Sequence, residues 1–156
     1  MARARLVVHL TNQIKTCLDA LHDPMIWWRA NEQSNAIGNL VLHCAGSTRH
    51  YIGHVVGGSD FARGRDAEFA ERREIPKAEL LAHLTFAIDE ADRAFRTFDA
   101  SQLLDTTDRG LKPSTFMEVI GLQLVHYAAH TGQIAFATKM LKADAIDDIW
   151  RKTRER

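Results

Sequence analysis

The segment TFMEVIGLQLVHYAAHTGQIAFATKML, residues 115–141, sets the predicted architecture because it has the pattern of one long helix. Thr115 and Glu118 have the spacing of a capping box, in which each side chain satisfies a free amide of the first helical turn. No proline interrupts the segment before Leu141. The sequence therefore predicts a helix that begins after Thr115 and ends near Leu141.

The three prolines divide the rest of the chain into further helical segments, because proline lacks the amide hydrogen that a helix interior needs. Between Pro24, Pro76 and Pro113, apolar residues recur at steps of three and four. The predicted helices run from about residue 3 to residue 22, from an N-cap at Asn35 to Gly57-Gly58, from Pro76 through Phe98, and from Thr115 to Leu141. Residues 60–73 are predicted as a surface loop with a short helical turn, and Ile146, Ile149 and Trp150 as part of a short terminal helix.

No segment has the period-two alternation of a strand, so the sequence predicts an all-α protein. Four helices joined by moderate loops are typical of a four-helix bundle. The length of 156 residues fits one domain, here residues 1–156.

Composition excludes several classes of partner. The 20 basic and 20 acidic residues cancel, so no strong field attracts nucleic acid or an anionic membrane. No segment approaches the roughly 20 apolar residues that span a bilayer. Two cysteines and no apolar leader suggest a reducing compartment, and we expect a cytoplasmic protein.

Two histidines in the long helix indicate a metal site. His126 and His130 are four residues apart, which puts their Cβ atoms about 5–6 Å apart on one face. Polar groups that face a core are costly unless they are satisfied, and a metal ion would satisfy both rings. The same row contains Val119, Gln123, Gln133 and Ala137, between the apolar residues Ile120, Leu124, Ile134 and Phe136. A matching row in the second helix, Leu40, His43, Ser47, His50 and His54, offers a third ligand.

Other interpretations of these histidines stay open at this point. His126 and His130 can be ordinary polar residues of a helix, since an isolated pair at this spacing is a weak signal. The zinc-protease motif needs Glu after the first histidine, and Tyr127 stands there instead. In a three-histidine site, one coordination position stays open for water or substrate. Helical facing suggests Gln123, Ser47, His50 or Gln133 as residues that orient the ligands.

Three segments resemble the DinB/YfiT-like superfamily. Asn35-Ala-Ile-Gly-Asn-Leu-Val-Leu-His43 is similar to the start of that superfamily's second helix, and His126-Tyr-Ala-Ala-His130-Thr-Gly-Gln133 to its fourth-helix signature. Trp27-Trp28 and Arg63-Gly-Arg65-Asp-Ala-Glu-Phe69 are similar to a largely uncharacterised bacterial subgroup. The resemblance extends from about residue 6 to residue 142.

The resemblance implies an up-down-down-up four-helix bundle, often dimeric, with a divalent metal ion, commonly zinc or nickel. It assigns His43, His126 and His130 as metal ligands and no other residue. Superfamily members with known activity include S-transferases that use a low-molecular-weight thiol such as bacillithiol or mycothiol, and related isomerases.

Two classes of function follow. The first is a metal-dependent enzyme, a hydrolase or a thiol S-transferase, that acts on a small-molecule substrate. The second is a non-catalytic interaction bundle, either stabilised by the metal or free of it. Three protein ligands beside a cleft favour the first class, and an enclosed ion with four protein ligands favours the second.

Overall fold

The computed structural model describes residues 1–145, and this part of the chain is mostly helical. The helices are α1 (π-helical Ala4–Leu10, continuing as Thr11–Ala20), α2 (Asp23–Ile26), α3 (Ile37–Thr48, continuing as π-helical Arg49–Val56), α4 (Arg65–Ala70), α5 (Lys77–Thr97) and α6 (Phe116–Leu141). Short 3₁₀ turns span Ala100–Leu104 and Ala143–Ala145. The strands β1 (Thr106–Thr107) and β2 (Ser114–Thr115) form a small antiparallel pair.

The all-α prediction is confirmed apart from the two-residue strands. Their pairing, Thr106 with Thr115 and Thr107 with Ser114, closes the loop that contains Pro113 just before α6. Two residues are too few to show a period-two pattern, so the sequence carried no signal for them. The short helix predicted for Ile146, Ile149 and Trp150 lies outside the described residues.

The capping prediction for α6 is confirmed. The Glu118 backbone amide donates to Thr115 Oγ1 at 3.2 Å, and the Thr115 amide donates to Glu118 Oε2 at 2.8 Å. These bonds satisfy free amides of the first turn and fix where the helix begins. Helix α5 likewise begins directly after Pro76, as the sequence predicts.

The N-cap prediction for α3 is wrong. The N-cap is Ala36, whereas Asn35 is exposed and makes no cap. Asn39, one turn into the helix, accepts from the Ala36 amide at 3.2 Å, and its Nδ2 donates to the carbonyls of Glu68 and Glu71. The buried Asn39 amide therefore joins the start of α3 to α4, a longer-range role that outweighs the local capping preference at Asn35.

Helix α3 is central to the packing. It packs against α5 on one side and against α6 on another, and α6 also packs against α1. The core between these helices contains fully buried side chains from each of them, Leu6, Ile14, Leu18, Val41, Ile52, Leu80, Leu84, Tyr127 and Ile134. Because α3 lies against α6, side chains at residues 43 and 126 can meet. Within residues 1–145, every helix is too short or too polar to cross a bilayer.

Tyr127 connects α6 to α1 directly beside one of the histidines. Its ring is fully buried, and its hydroxyl lies 2.9 Å from Thr11 Oγ1. The Thr11 hydroxyl donates to the Leu6 carbonyl at 2.8 Å, so Tyr127 is the donor of the shared bond. Burial raises the pKa of Tyr127, which keeps the phenol protonated.

We expect Tyr127→Phe to lower the free energy of unfolding by about 1 kcal/mol, because a buried hydrogen bond is lost without a large change in volume. Urea unfolding followed by circular dichroism measures this. The matched variant is Tyr51→Phe, since Tyr51 is half-buried and its hydroxyl has no hydrogen-bond partner in residues 1–145. Equal stability of Tyr127→Phe and wild type would contradict the role of this bond.

Candidate metal centre

Three histidine rings converge between α3 and α6. His43 Nε2 lies 2.9 Å from His126 Nε2, which in turn lies 3.1 Å from His130 Nε2. Ligand atoms of all three rings lie within 4.8 Å of one another. Imidazoles that share a tetrahedral zinc ion at about 2.0–2.1 Å have nitrogens roughly 3.3 Å apart. The spacing therefore suits one small cation.

The position of the proton on His43 favours this use of the ring. His43 Nδ1 lies 2.8 Å from Glu68 Oε2, and an ionised carboxylate only accepts, so Nδ1 carries the proton. In the neutral ring, Nε2 then presents its lone pair to the other histidines. Arg63 binds the same carboxylate through Nε at 2.9 Å and Nη2 at 2.8 Å. The ring of His43 is almost fully buried, so water does not compete for its Nδ1 atom. Glu68, itself held by Arg63, therefore fixes the orientation of the ring.

His130 is oriented in the same way by a different residue. Its Nδ1 donates to Gln133 Oε1 at 2.7 Å, which leaves the lone pair of Nε2 directed at His126. Two lone pairs thus point at His126 Nε2, and one proton on that nitrogen can serve only one of them. A metal ion among the three nitrogens satisfies all of them together, so the donor set fits a divalent cation.

Burial and neighbouring charge disfavour protonation of His126 and His130, and the neutral imidazole is the form that binds metal. Burial, followed by the charges of His130 and His43, lowers the pKa of His126 to about 4. Burial also lowers the pKa of His130, although the hydrogen bond to Gln133 opposes this. For Glu68, burial raises the pKa, but hydrogen bonds from His43 and Arg63 outweigh it and the net shift is downward. Neutral rings at His126 and His130, with the ionised Glu68 carboxylate nearby, suit cation binding.

The sequence matches, over residues 1–151, a family described as "Protein of unknown function (DUF1572)". The chain belongs to this family. No curated protein matches the sequence. The family description assigns no activity, so the chemistry of this chain follows from its own residues.

The three histidines predicted as ligands are the three that the structure brings together. Gln133, one of the suggested orienting residues, does hold His130. Two other suggestions are wrong, because Gln123 Nε2 donates to Ser47 Oγ at 3.3 Å and to Thr48 Oγ1 at 3.0 Å rather than to a histidine. These residues join α6 to α3 instead.

The predicted face of α6 is shifted around the helix. Phe136, placed beside the core by the sequence, is 67% exposed, whereas Thr131 and Thr138 are buried. Each threonine hydroxyl donates to the carbonyl four residues earlier, so its burial leaves no unsatisfied donor. His126 and His130 therefore lie at the edge of the buried face, where both remain partly accessible.

His50 and His54 lie on the side of α3 that carries His43, but their rings are not ligands in this arrangement. The two rings stack with centroids 5.9 Å apart, and His54 Nδ1 is paired with the Ser59 carbonyl. Neither ring is hydrogen-bonded to His43, His126 or His130 in the part of the chain that the structure describes.

The role of Glu68 was not predicted, although a short helical turn within residues 60–73 was, and helix α4 is that turn. What was not predicted from the sequence is that α4 lies along α3, where Gly46 makes room for the carboxylate. A Cβ at residue 46 would lie 1.9 Å from Glu68 Oε1. A glycine within a helix costs about 1 kcal/mol relative to alanine, so Gly46, one turn after His43, was the available signal of a close approach.

The pKa of His126 predicts how the metal-free protein responds to acid. From its reference value of 6.5 down to about 4, the unfolded chain takes up a proton that the folded site excludes. We therefore expect the free energy of unfolding, measured with urea and a chelator, to fall as the pH drops through this interval. His126→Gln should show a shallower fall between pH 7.5 and pH 5. Identical pH dependence in the two proteins would contradict the lowered pKa.

Proposed function

We propose that His43, His126 and His130 bind one divalent metal ion, zinc or nickel, and that the protein is a metal-dependent enzyme. The reaction is a hydrolysis or the S-transfer of a low-molecular-weight thiol, as the resemblance to DinB/YfiT-like proteins suggests. The same resemblance supports an up-down-down-up four-helix bundle and a homodimer as parts of this proposal.

The observation that carries the proposal is a cavity that reaches the histidine cluster. This cavity of about 440 Å³ includes His43 and His126 among its lining residues. Its size is within the range of small-molecule sites. A metal with three protein ligands beside such a cavity can meet a substrate, whereas a metal that only stabilises the fold needs no access.

A divalent ion held by three imidazoles supplies Lewis-acid activation of water or of a thiol at neutral pH. Residues of the chain would hold the ion in place. Glu68 and Gln133 orient His43 and His130 through their Nδ1 atoms, so that the Nε2 atom of each ring faces the site. A cysteine of the chain is not the nucleophile, because both cysteines are buried, so we assign that role to water or to the small-molecule thiol. Burial raises the pKa of Cys17 to about 11 and raises that of Cys44 still further.

The test measures turnover by protein loaded with zinc or with nickel. One series combines bacillithiol, mycothiol or glutathione with 1-chloro-2,4-dinitrobenzene, and a second uses p-nitrophenyl acetate without thiol. We expect turnover in one series that disappears on chelation and in His126→Ala. Bound metal without metal-dependent turnover in either series would contradict the enzyme and favour a metal-stabilised interaction bundle.

A further inference from the structure

The cavity beside the histidine cluster has a one-sided charge. Two arginines and four histidines are among its lining residues within residues 1–145, and no aspartate or glutamate lines it there. His43 and His126 belong to the metal centre, so the positive charge of the wall comes from the two arginines. The whole chain has a formal net charge of zero, so this excess of positive charge is local. A cavity wall with an excess of positive charge favours a ligand that carries a negative charge.

Arg65 supplies the free positive charge. Its guanidinium carbon lies 5.0 Å from the centre of the Phe69 ring, and it forms no salt bridge within the described range of the chain. Arg63 is different, because Nε and Nη2 are bound to Glu68. Its Nη1 has no hydrogen-bond partner in that range. The two arginines thus offer donors at the cavity wall that no carboxylate of the protein uses.

His50 adds a further donor on the α3 side. Its ring makes no hydrogen bond to residues 1–145. The ring stacks on His54 with centroids 5.9 Å apart and meets Tyr51 edge-on at 4.8 Å. Burial and then the positive charges of Arg63 and His54 lower the pKa of His50. The charge of Glu68 opposes this shift but does not reverse it, so the ring tends to stay neutral and offers one N–H donor to a ligand.

The remaining walls are apolar or aromatic. Tyr51, Phe61, Leu111 and Leu122 line the cavity, and the last two are largely exposed to it and to solvent. Phe61 is held by Arg49, whose guanidinium carbon lies 3.9 Å from the ring centre. An aromatic or aliphatic group fits these walls, while an acid group meets Arg65 and His50.

We propose that this cavity binds a small organic anion, a molecule with an apolar or aromatic part and one carboxylate or phosphate group. Arg65 and His50 bind the oxyanion, and the apolar part lies along Phe61 and Leu122 toward the histidine cluster. The inference rests on the proposed function for the role of this anion as substrate. The anion site itself stands on the lining of the cavity.

The test compares three probes of similar shape by isothermal titration calorimetry: phenylacetate, phenyl phosphate and the neutral phenylacetamide. We expect at least one of the two anions to bind at least tenfold more tightly than the amide. The preferred anion identifies the acid group as carboxylate or phosphate. Arg65→Gln should weaken the binding of that anion at least tenfold, whereas Arg93→Gln, at an exposed arginine of α5 outside the cavity, should not.

A parallel titration of His126→Ala separates this inference from the metal site. If the variant has lost its metal but still prefers the anion, the anion site is independent of the metal. A preference that disappears in His126→Ala would show that the metal binds the anions and would overturn the inference. Three other results would also overturn the inference. The wild type could bind the anions and the amide equally, or bind neither anion below 10 mM. Arg65→Gln could bind the preferred anion as tightly as the wild type does.

Discussion

His126→Ala is expected to bind zinc at least 100-fold more weakly than the wild-type protein, a loss of about 2.7 kcal/mol or more. The reason is the central place of His126 Nε2, which lies 2.9 Å from His43 Nε2 and 3.1 Å from His130 Nε2. Without His126, only the Nε2 atoms of His43 and His130 remain as ligands, and the nitrogen that lies next to both of them is lost. Competition of the purified protein with a chromophoric chelator measures the affinity, and elemental analysis measures the bound metal.

The matched control is His83→Ala. His83 is an exposed histidine of α5, 3.8 Å from Glu79, and it takes no part in the cluster. This variant removes the same imidazole and should bind zinc as wild type does. Circular dichroism of both variants confirms that they are folded. Similar zinc affinity in His126→Ala and His83→Ala would contradict the assignment of His126.

Glu68→Gln is expected to weaken zinc binding by about 10- to 100-fold, the usual cost of losing a partner that orients a ligating histidine. The substitution keeps the shape of the side chain but removes the charge that fixes the proton on His43 Nδ1, 2.8 Å away. It also leaves Arg63, which is largely buried beside the carboxylate, without its ion partner. The same chelator competition measures the effect.

Gly46→Ala tests the same contact from the other side. The new Cβ would lie 1.9 Å from Glu68 Oε1, so the carboxylate has to move away from its position beside His43. We expect weaker zinc binding here as well. Gly121→Ala is the control, because no neighbouring atom lies within 4 Å of its added Cβ. If Glu68→Gln and Gly46→Ala both bind zinc as tightly as wild type, Glu68 does not position the site.

The features that could be predicted from the sequence are those set by local spacing. The Thr115 and Glu118 cap and the one-turn spacing of His126 and His130 depend only on helix geometry. The contact of Gln133 with His130 follows from the same rule, since the residues are three apart. The choice of His43 needed the family resemblance, because His50 and His54 share its predicted face.

The features that could not be predicted depend on how distant segments pack. Glu68 reaches His43 only because α4 lies along α3, an arrangement supported by Asn39 and its bonds to the carbonyls of Glu68 and Glu71. Gln123 has the same helical facing as the histidines, yet Ser47 and Thr48 on α3 are its partners. Periodicity assigns a residue to a face, but tertiary contacts choose its partner.

The most direct test of the metal site is X-ray absorption spectroscopy of the zinc-loaded protein at the zinc edge. We predict three imidazole nitrogens at about 2.0–2.1 Å and no sulfur ligand, with a loss of imidazole scattering in His43→Ala, His126→Ala and His130→Ala. The three-histidine site would be contradicted by a spectrum that shows thiolate ligands or fewer than three imidazoles. A spectrum that these substitutions leave unchanged would contradict it as well.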